Sequence, residues 1–307
     1  MRDREKGSLD ARERVLRTLA HRDRDRMARG EILVEDPVIQ GFLRCGNVGF
    51  PERLEFFQRL ELDIVCVHPR YRREEGRLPE ADGIRWPDLG RWVEESGLFV
   101  FALMDGPFGW GMRVFGWEKF LTLPLRDPDA LRVFLRDVTR LNEELASILV
   151  GQGIDGLLIA DDVAYQRGLF TSPRIMRTRF LPSMESQVEE GLERGLPVFF
   201  HSDGNVGDIV PDLIRIGFRG LHCIDPNSGM EVLRLMEAYG EALCLWGHLT
   251  PEDVARWDDP AHAQRLTEDL SDLSAWGGCI LGTTCGIFGG LDLGSLISIH
   301  NSIPRAA

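Results

Sequence analysis

Pro197-Val-Phe-Phe-His-Ser-Asp-Gly-Asn205 decides how the rest of the chain is read. A short apolar run stops at His201 and Asp203, and a glycine-containing turn follows. That pattern marks a buried parallel strand whose first polar residues project from its carboxyl end, where α/β sheets place their chemistry. Moving outward, the pattern recurs: residues 62–67 end in His68, 98–104 in Asp105, 157–160 in Asp161 and Asp162, 221–224 in Asp225, 243–247 in His248, and 280–284 in Cys285. Any one of these acids could equally cap the helix after it, because Asp and Asn accept from the free amides of a first turn. For Asp161 and Asp162 both readings stay open.

Strands are expected at 31–34, 63–67, 98–104, 156–160, 197–201, 220–224, 242–247 and 278–284. Helical patterns lie between them at about 52–60, 127–150, 173–194, 206–216, 229–239 and 260–275, with a short closing helix beyond Asp292. Residues 9–29 carry Val15, Leu16 and Leu19 on a charged background behind Ser8 and Asp10, which predicts an amphipathic helix across one end of the domain. Eight βα units in alternation give the fold class: α/β, a single (β/α)8 TIM barrel spanning 1–307. Residues 69–96, broken by Gly76, Pro79, Gly83 and Pro87, read as a long excursion from the core. Residues 106–117, rich in glycine and aromatics, suit either a cavity wall or core packing.

The net charge of −13 disfavours nucleic acid or an anionic membrane as partner. Pro69-Arg-Tyr-Arg-Arg73 is a local exception, but Glu74 and Glu75 follow it, so it reads as a solvated loop that could alternatively bind an anion. The charged start Met1-Arg-Asp-Arg-Glu-Lys6 lacks the apolar core of a secretory signal, and six cysteines occur without a CxxC pair. Reduced thiols and a cytoplasmic location are expected. No apolar stretch approaches the ~20 residues of a membrane helix.

A barrel brings strand ends together, so His201, Asp203, Asp161, Asp162, Asp105 and Cys285 would share one mouth. Imidazole, carboxylate and thiolate at one place suit zinc, although donors this far apart in sequence are equally read as structural residues.

Several segments together carry a family resemblance: Ala11–Leu19 with Asp-Arg at 24 and 25, Asp-Gly-Pro-Phe at 105–108, and Ala-Asp-Asp-Val-Ala-Tyr-Gln-Arg-Gly at 160–168. Ser-Pro at 172–173, His-Ser-Asp-Gly-Asn-Val at 201–206 and Gly-Gly-Cys-Ile-Leu-Gly at 277–282 complete the set. The chain resembles the uroporphyrinogen decarboxylase superfamily, and within it the branch of cobalamin-dependent methyltransferases. The resemblance implies a TIM barrel with its site in the mouth and leaves two chemistries. The decarboxylase is cofactor-free and grips carboxylates with an early arginine motif. Here the corresponding 41–47 holds only Arg44.

The methyltransferase branch carries His-x-Cys and a late Cys on zinc. This chain keeps His201 and Cys285 but has Asp203 in the middle position. A carboxylate in place of a thiolate makes the site harder, better suited to activating an ether oxygen than a thiol. The implied function is zinc-assisted demethylation of a small methylated, for example methoxylated, substrate. The methyl group would pass to the cobalt of a separate corrinoid protein, since no corrinoid-binding motif occurs in the chain. His201, Cys285 and Asp203 are the expected metal residues, Asp203 alternatively being the acid for the leaving oxygen. Asp162 is the other catalytic candidate, and Asp105, Asp161, Tyr165 and Gln166 are expected to touch substrate. A homodimer is compatible with the resemblance. The alternative is a decarboxylase of a porphyrinogen or another carboxylate.

Overall fold

The computed structural model describes residues 9–73 and 76–303; Ser8, Glu74 and Glu75 of the sequence reading lie outside the described residues. Eight parallel strands close on themselves: β1 (Ala28–Glu31), β2 (Ile64–Val67), β3 (Phe99–Asp105), β4 (Gly156–Ala160), β5 (Val198–His201), β6 (Gly220–His222), β7 (Cys244–Trp246) and β8 (Cys279–Leu281). Each pairs with the next, and β8 returns to β1 through Ala28 opposite Ile280. This is the expected (β/α)8 barrel of the α/β class.

Two cores follow from the two faces of every strand. Facing inward are Ala28, Ile64, Phe99, Phe101, Leu103, Leu158, Phe199, Trp246 and Ile280, while Val100, Ala102, Met104, Leu157, Ile159 and Phe200 face the helices. The lumen is solid. Phe101 packs 5.0 Å from Phe199 and 5.6 Å from Trp246, and Trp246 donates its indole N–H to the Gly30 carbonyl. Fully burying each such side chain contributes about 1.5–3 kcal/mol.

The helix Ala11–Leu19 begins at Asp10, whose side chain accepts the Glu13 amide. It places Val15 in the inner core from below. Its Arg14 is buried, donating to Asp63 at 2.5 Å and to Asp25 at 2.7 and 2.8 Å. Burial opposes the Arg14 charge, yet the hydrogen bond to Asp25 and the carboxylate charges of Asp63 and Asp25 more than offset it, so its pKa is raised. Arg26 adds two further hydrogen bonds to Asp63. The bottom of the barrel is thereby closed.

The structure departs from the sequence reading in several elements. β1 lies three residues earlier than expected, which puts Glu31 at its carboxyl end. A helix, Asp36–Leu43, lies between the first strand and the helix Phe50–Arg59, where the sequence pattern predicts no element. The excursion 69–96 rejoins the core through buried Trp86, Leu89 and Trp92, the last two on the helix Leu89–Glu95. Residues 106–117 are mostly the helix Pro107–Phe115, with Phe108 and Trp110 packed in the outer core. The helix expected at 173–194 contains a π-turn at Met176–Phe180 before Leu181–Glu193.

Candidate active site

Strand parity decides which polar residues reach the lumen. Phe199 faces in, so His201 does too; Phe99, Phe101 and Leu103 lead the same way to Asp105. Leu158 and Ala160 point inward, which sends Asp162 to the mouth and Asp161 to the helix side.

His201 Nδ1 lies 2.8 Å from Nδ1 of His222, the last residue of β6. His222 is fully buried with its ring edge-on to Trp246, 4.8 Å away. Burial holds the His222 pKa well below the usual imidazole range, the nearby His201 pushes the same way, and the Thr283 backbone acts against them. A neutral His222 that accepts the His201 Nδ1–H leaves the Nε2 lone pair of His201 facing the rim.

At that rim Asp162, His201 and Asp203 each place a donor atom within 4.8 Å of the others. His201 Nε2 is 3.8 Å from Asp162 Oδ1, which also accepts the Asp203 amide at 3.0 Å. Tetrahedral zinc with ligands near 2.1 Å holds them roughly 3.4 Å apart, so this donor set fits a cation after small side-chain adjustments. Burial raises the Asp203 pKa, His201 opposes this, and Asp162 and Asp225 add to it. Such crowding of carboxylates is what a bound cation would relieve.

Cys285 is exposed on the loop after β8, with its thiol on the Gly286 carbonyl at 3.8 Å, outside the three-residue group. Burial of its sulfur raises the thiol pKa; a hydrogen bond from Thr284 opposes this, and the charges of Glu31, Asp203 and Asp225 reinforce it. It therefore shares the acidic rim without joining the cluster. Asp161 is buried and accepts the amides of Phe108 at 3.2 Å and Gly109 at 2.6 Å, capping the helix Pro107–Phe115. Its pKa is raised well above the ordinary range by burial, against those two amides. Tyr165 and Gln166 are exposed on a hairpin of Ala164–Tyr165 and Gly168–Leu169, and Tyr165 stacks on Phe170 with ring centres 5.6 Å apart.

Asp105 is only 5% exposed and holds Arg113 at 2.8 Å and the Tyr71 hydroxyl at 2.9 Å. Its pKa is raised by burial and opposed by Arg113 and Tyr71. Together with His68, Arg70, Tyr71, Arg73 and Arg113 it lines a cavity of about 420 Å³. His68 bonds the Ile32 carbonyl at 2.7 Å. Burial lowers its pKa, the Ile32 bond opposes that, and the charges of His201 and Asp105 act on it with opposite signs. Asp105 ends β3, and β4 and β5 beside it lead to Asp162 and His201, so the cavity adjoins the rim group.

Sequence reasoning missed His222, because it extended β6 to residue 224 and placed the histidine in mid-strand. It also missed Glu31, which accepts the Thr283 hydroxyl at 2.6 Å and the Thr283 amide, and whose pKa burial pushes up to about 8. Strand parity, counted from a correctly placed β1, was the signal available for it.

Among solved structures, a methyltransferase from Methanosarcina mazei is similar across 96% of this chain and 98% of its own, with a TM-score of 0.71 at 16% identity. A putative vitamin-B12 independent methionine synthase from Listeria monocytogenes covers 91% of this chain and 97% of its own, with a TM-score of 0.55 at 13% identity. A B12-independent methionine synthase from Shewanella, in complex with selenomethionine, gives 0.53 at 13% identity, covering 88% and 87%. Among curated proteins none matches. The profile of uroporphyrinogen decarboxylase (URO-D) matches residues 93–300, about two thirds of the sequence, so the chain belongs to that family.

Proposed function

We propose that this barrel is a methyltransferase that takes a methyl group from a small methylated substrate, such as a methoxylated one, and passes it to the cobalt of a corrinoid carried by a separate protein. The observation that carries the reading is the group of Asp162, His201 and Asp203 at the open end of a barrel whose interior is otherwise filled. The similarity to a protein described as a methyltransferase supports it. A zinc ion held by these three residues would supply Lewis-acid polarisation of the substrate oxygen. His222 orients His201 through the Nδ1 contact, and Asp105 orients Arg113 and Tyr71. Asp161 keeps the helix behind Asp105 in place. Asp203 has two available tasks, ligand or proton donor to the leaving oxygen. Asp203→Asn separates them: loss of metal identifies a ligand, whereas retained metal with slowed turnover identifies an acid.

The deciding measurement is elemental analysis of the purified protein and of His201→Ala, together with anaerobic incubation with reduced cobalamin and methoxylated compounds, followed by the cobalt absorbance. Stoichiometric zinc that disappears in the variant, with substrate-dependent methylation of cobalt, is expected. No metal in either protein and no change at cobalt would sink this reading. It would leave cofactor-free decarboxylation of a porphyrinogen or another carboxylate, which the arginines of the cavity favour and carbon dioxide release would reveal.

A further inference from the structure

We propose that the cavity next to the rim group is an oxyanion subsite, so that the substrate is an organic anion gripped by Arg70, Arg73 and Arg113 with its reactive end on the His201 side. This rests on the reading of the mouth as the substrate site and adds the substrate's chemical class. Three guanidinium groups and one carboxylate line the cavity. Asp105 neutralises Arg113, to which it is bonded at 2.8 Å. Neither Arg70 nor Arg73 has a carboxylate bonded to it among the described residues, so their guanidinium groups are open to a ligand. Among the described residues, three guanidinium charges against the single carboxylate of Asp105 leave this lining net positive in a chain of net charge −13, a local inversion of the field.

The subsite is built rather than loose. Arg70 exchanges both backbone hydrogen bonds with Arg85, at 2.6 and 2.9 Å, which pins its loop. The nearly buried Asp105 fixes the Tyr71 hydroxyl and Arg113 as one unit. Guanidinium forks match the paired oxygens of carboxylate and phosphate. The sheet register gives the direction: Asp105 in the cavity wall lies opposite Ala160 of β4, which lies opposite His201 of β5, so an anion held by the arginines extends its other end across these neighbouring strand ends to the metal-type cluster.

The test is calorimetric titration of the full chain at low salt with 4-methoxybenzoate, 4-methoxyphenyl phosphate and neutral 4-methoxybenzyl alcohol. At least one anion is expected to bind about tenfold or more tightly than the alcohol, and Arg70→Gln/Arg73→Gln to abolish that preference, in line with charge-assisted hydrogen bonds. The better anion identifies the source. Arg72→Gln removes the same charge from the same loop outside the cavity and is expected to leave the affinity within about twofold, as a surface charge away from the ligand would. Equal binding of anion and alcohol, or equal losses in Arg72→Gln and the double variant, would overturn the proposal. Arg73→Gln alone, at an exposed side chain, provides the same comparison should the double variant fail to fold. Persistent anion binding in a protein that neither holds zinc nor methylates cobalt would remove the methyl-transfer reading and keep the subsite.

Discussion

Between Asp161 and Asp162 the chain passes from the outer to the inner face of β4, and the two carboxylates take different surroundings. Asp161→Ala leaves two helix-capping amides without their acceptor, so we expect a loss of about 1–3 kcal/mol in urea unfolding. Asp162→Asn sits at an exposed rim position, and in metal-free protein its stability should stay within about 0.5 kcal/mol of wild type. The sequence could place both acids at a strand end but could not assign their faces, since Leu157, Leu158 and Ile159 are all apolar and only packing tells inner from outer. Glu31 offers a pH-dependent test. Its carboxyl titrates near 4.5 when free and about 8 in the fold. Across that window the native state retains a proton that the unfolded chain has released, so this contribution to stability is complete below the lower value and is lost as pH rises through the upper one. The stability advantage of wild type over Glu31→Gln should therefore shrink as pH rises from about 5 to about 8. A gap that widens would contradict the assignment.

Among the elements, the later strands were legible because each is a short apolar run ended by a polar residue and a turn. β1 was not: Arg29 and Glu31 sit inside it, and the charges hide the run. Arg29 is accommodated because its guanidinium reaches Glu61 and the His300 carbonyl, a tertiary fact that no local pattern carries. Helix Leu89–Glu95 was likewise masked by charged neighbours, although Trp92 anchors it in the core at 4.6 Å from Phe50. Gly220 of β6 shows how tightly the strands fill the lumen. A β-carbon there would lie 2.2 Å from the Phe199 ring, so Gly220→Ala should cost roughly 1–3 kcal/mol through overpacking, measured as a shifted denaturation midpoint with an unchanged slope. In the first helix, Arg14→Ala leaves Asp63 buried with less than its full set of partners. A loss of roughly 3 kcal/mol is expected in the same measurement.

At the scale of the whole molecule, the barrel was legible from counting βα units, and the mouth from knowing where such barrels carry their polar residues. The composition of the mouth was only partly so, because His222 ends a strand whose apolar run continues through Cys223 and Ile224 and hides that end, while Tyr71 and Arg113 come from a loop and a helix that no strand-end rule would select. Among the described residues no helix is long and apolar enough to cross a membrane. If the rim group holds zinc, the ion should raise the melting temperature by mass action, with about 2.7 kcal/mol gained at a hundredfold excess over the dissociation constant. His201→Ala should remove that response, which differential scanning fluorimetry would read. The plug formed by the first helix, with Val15 under the lumen and Arg14 locked to Asp63, carries a kinetic consequence. Traffic has one door. Under the methyl-transfer reading a corrinoid-bearing protein must stand in that same doorway, so the small reactant has to enter first and its demethylated product must wait for the visitor to leave. Initial-rate measurements should then display an obligatory order of arrival, with inhibition when the carrier protein is in large excess.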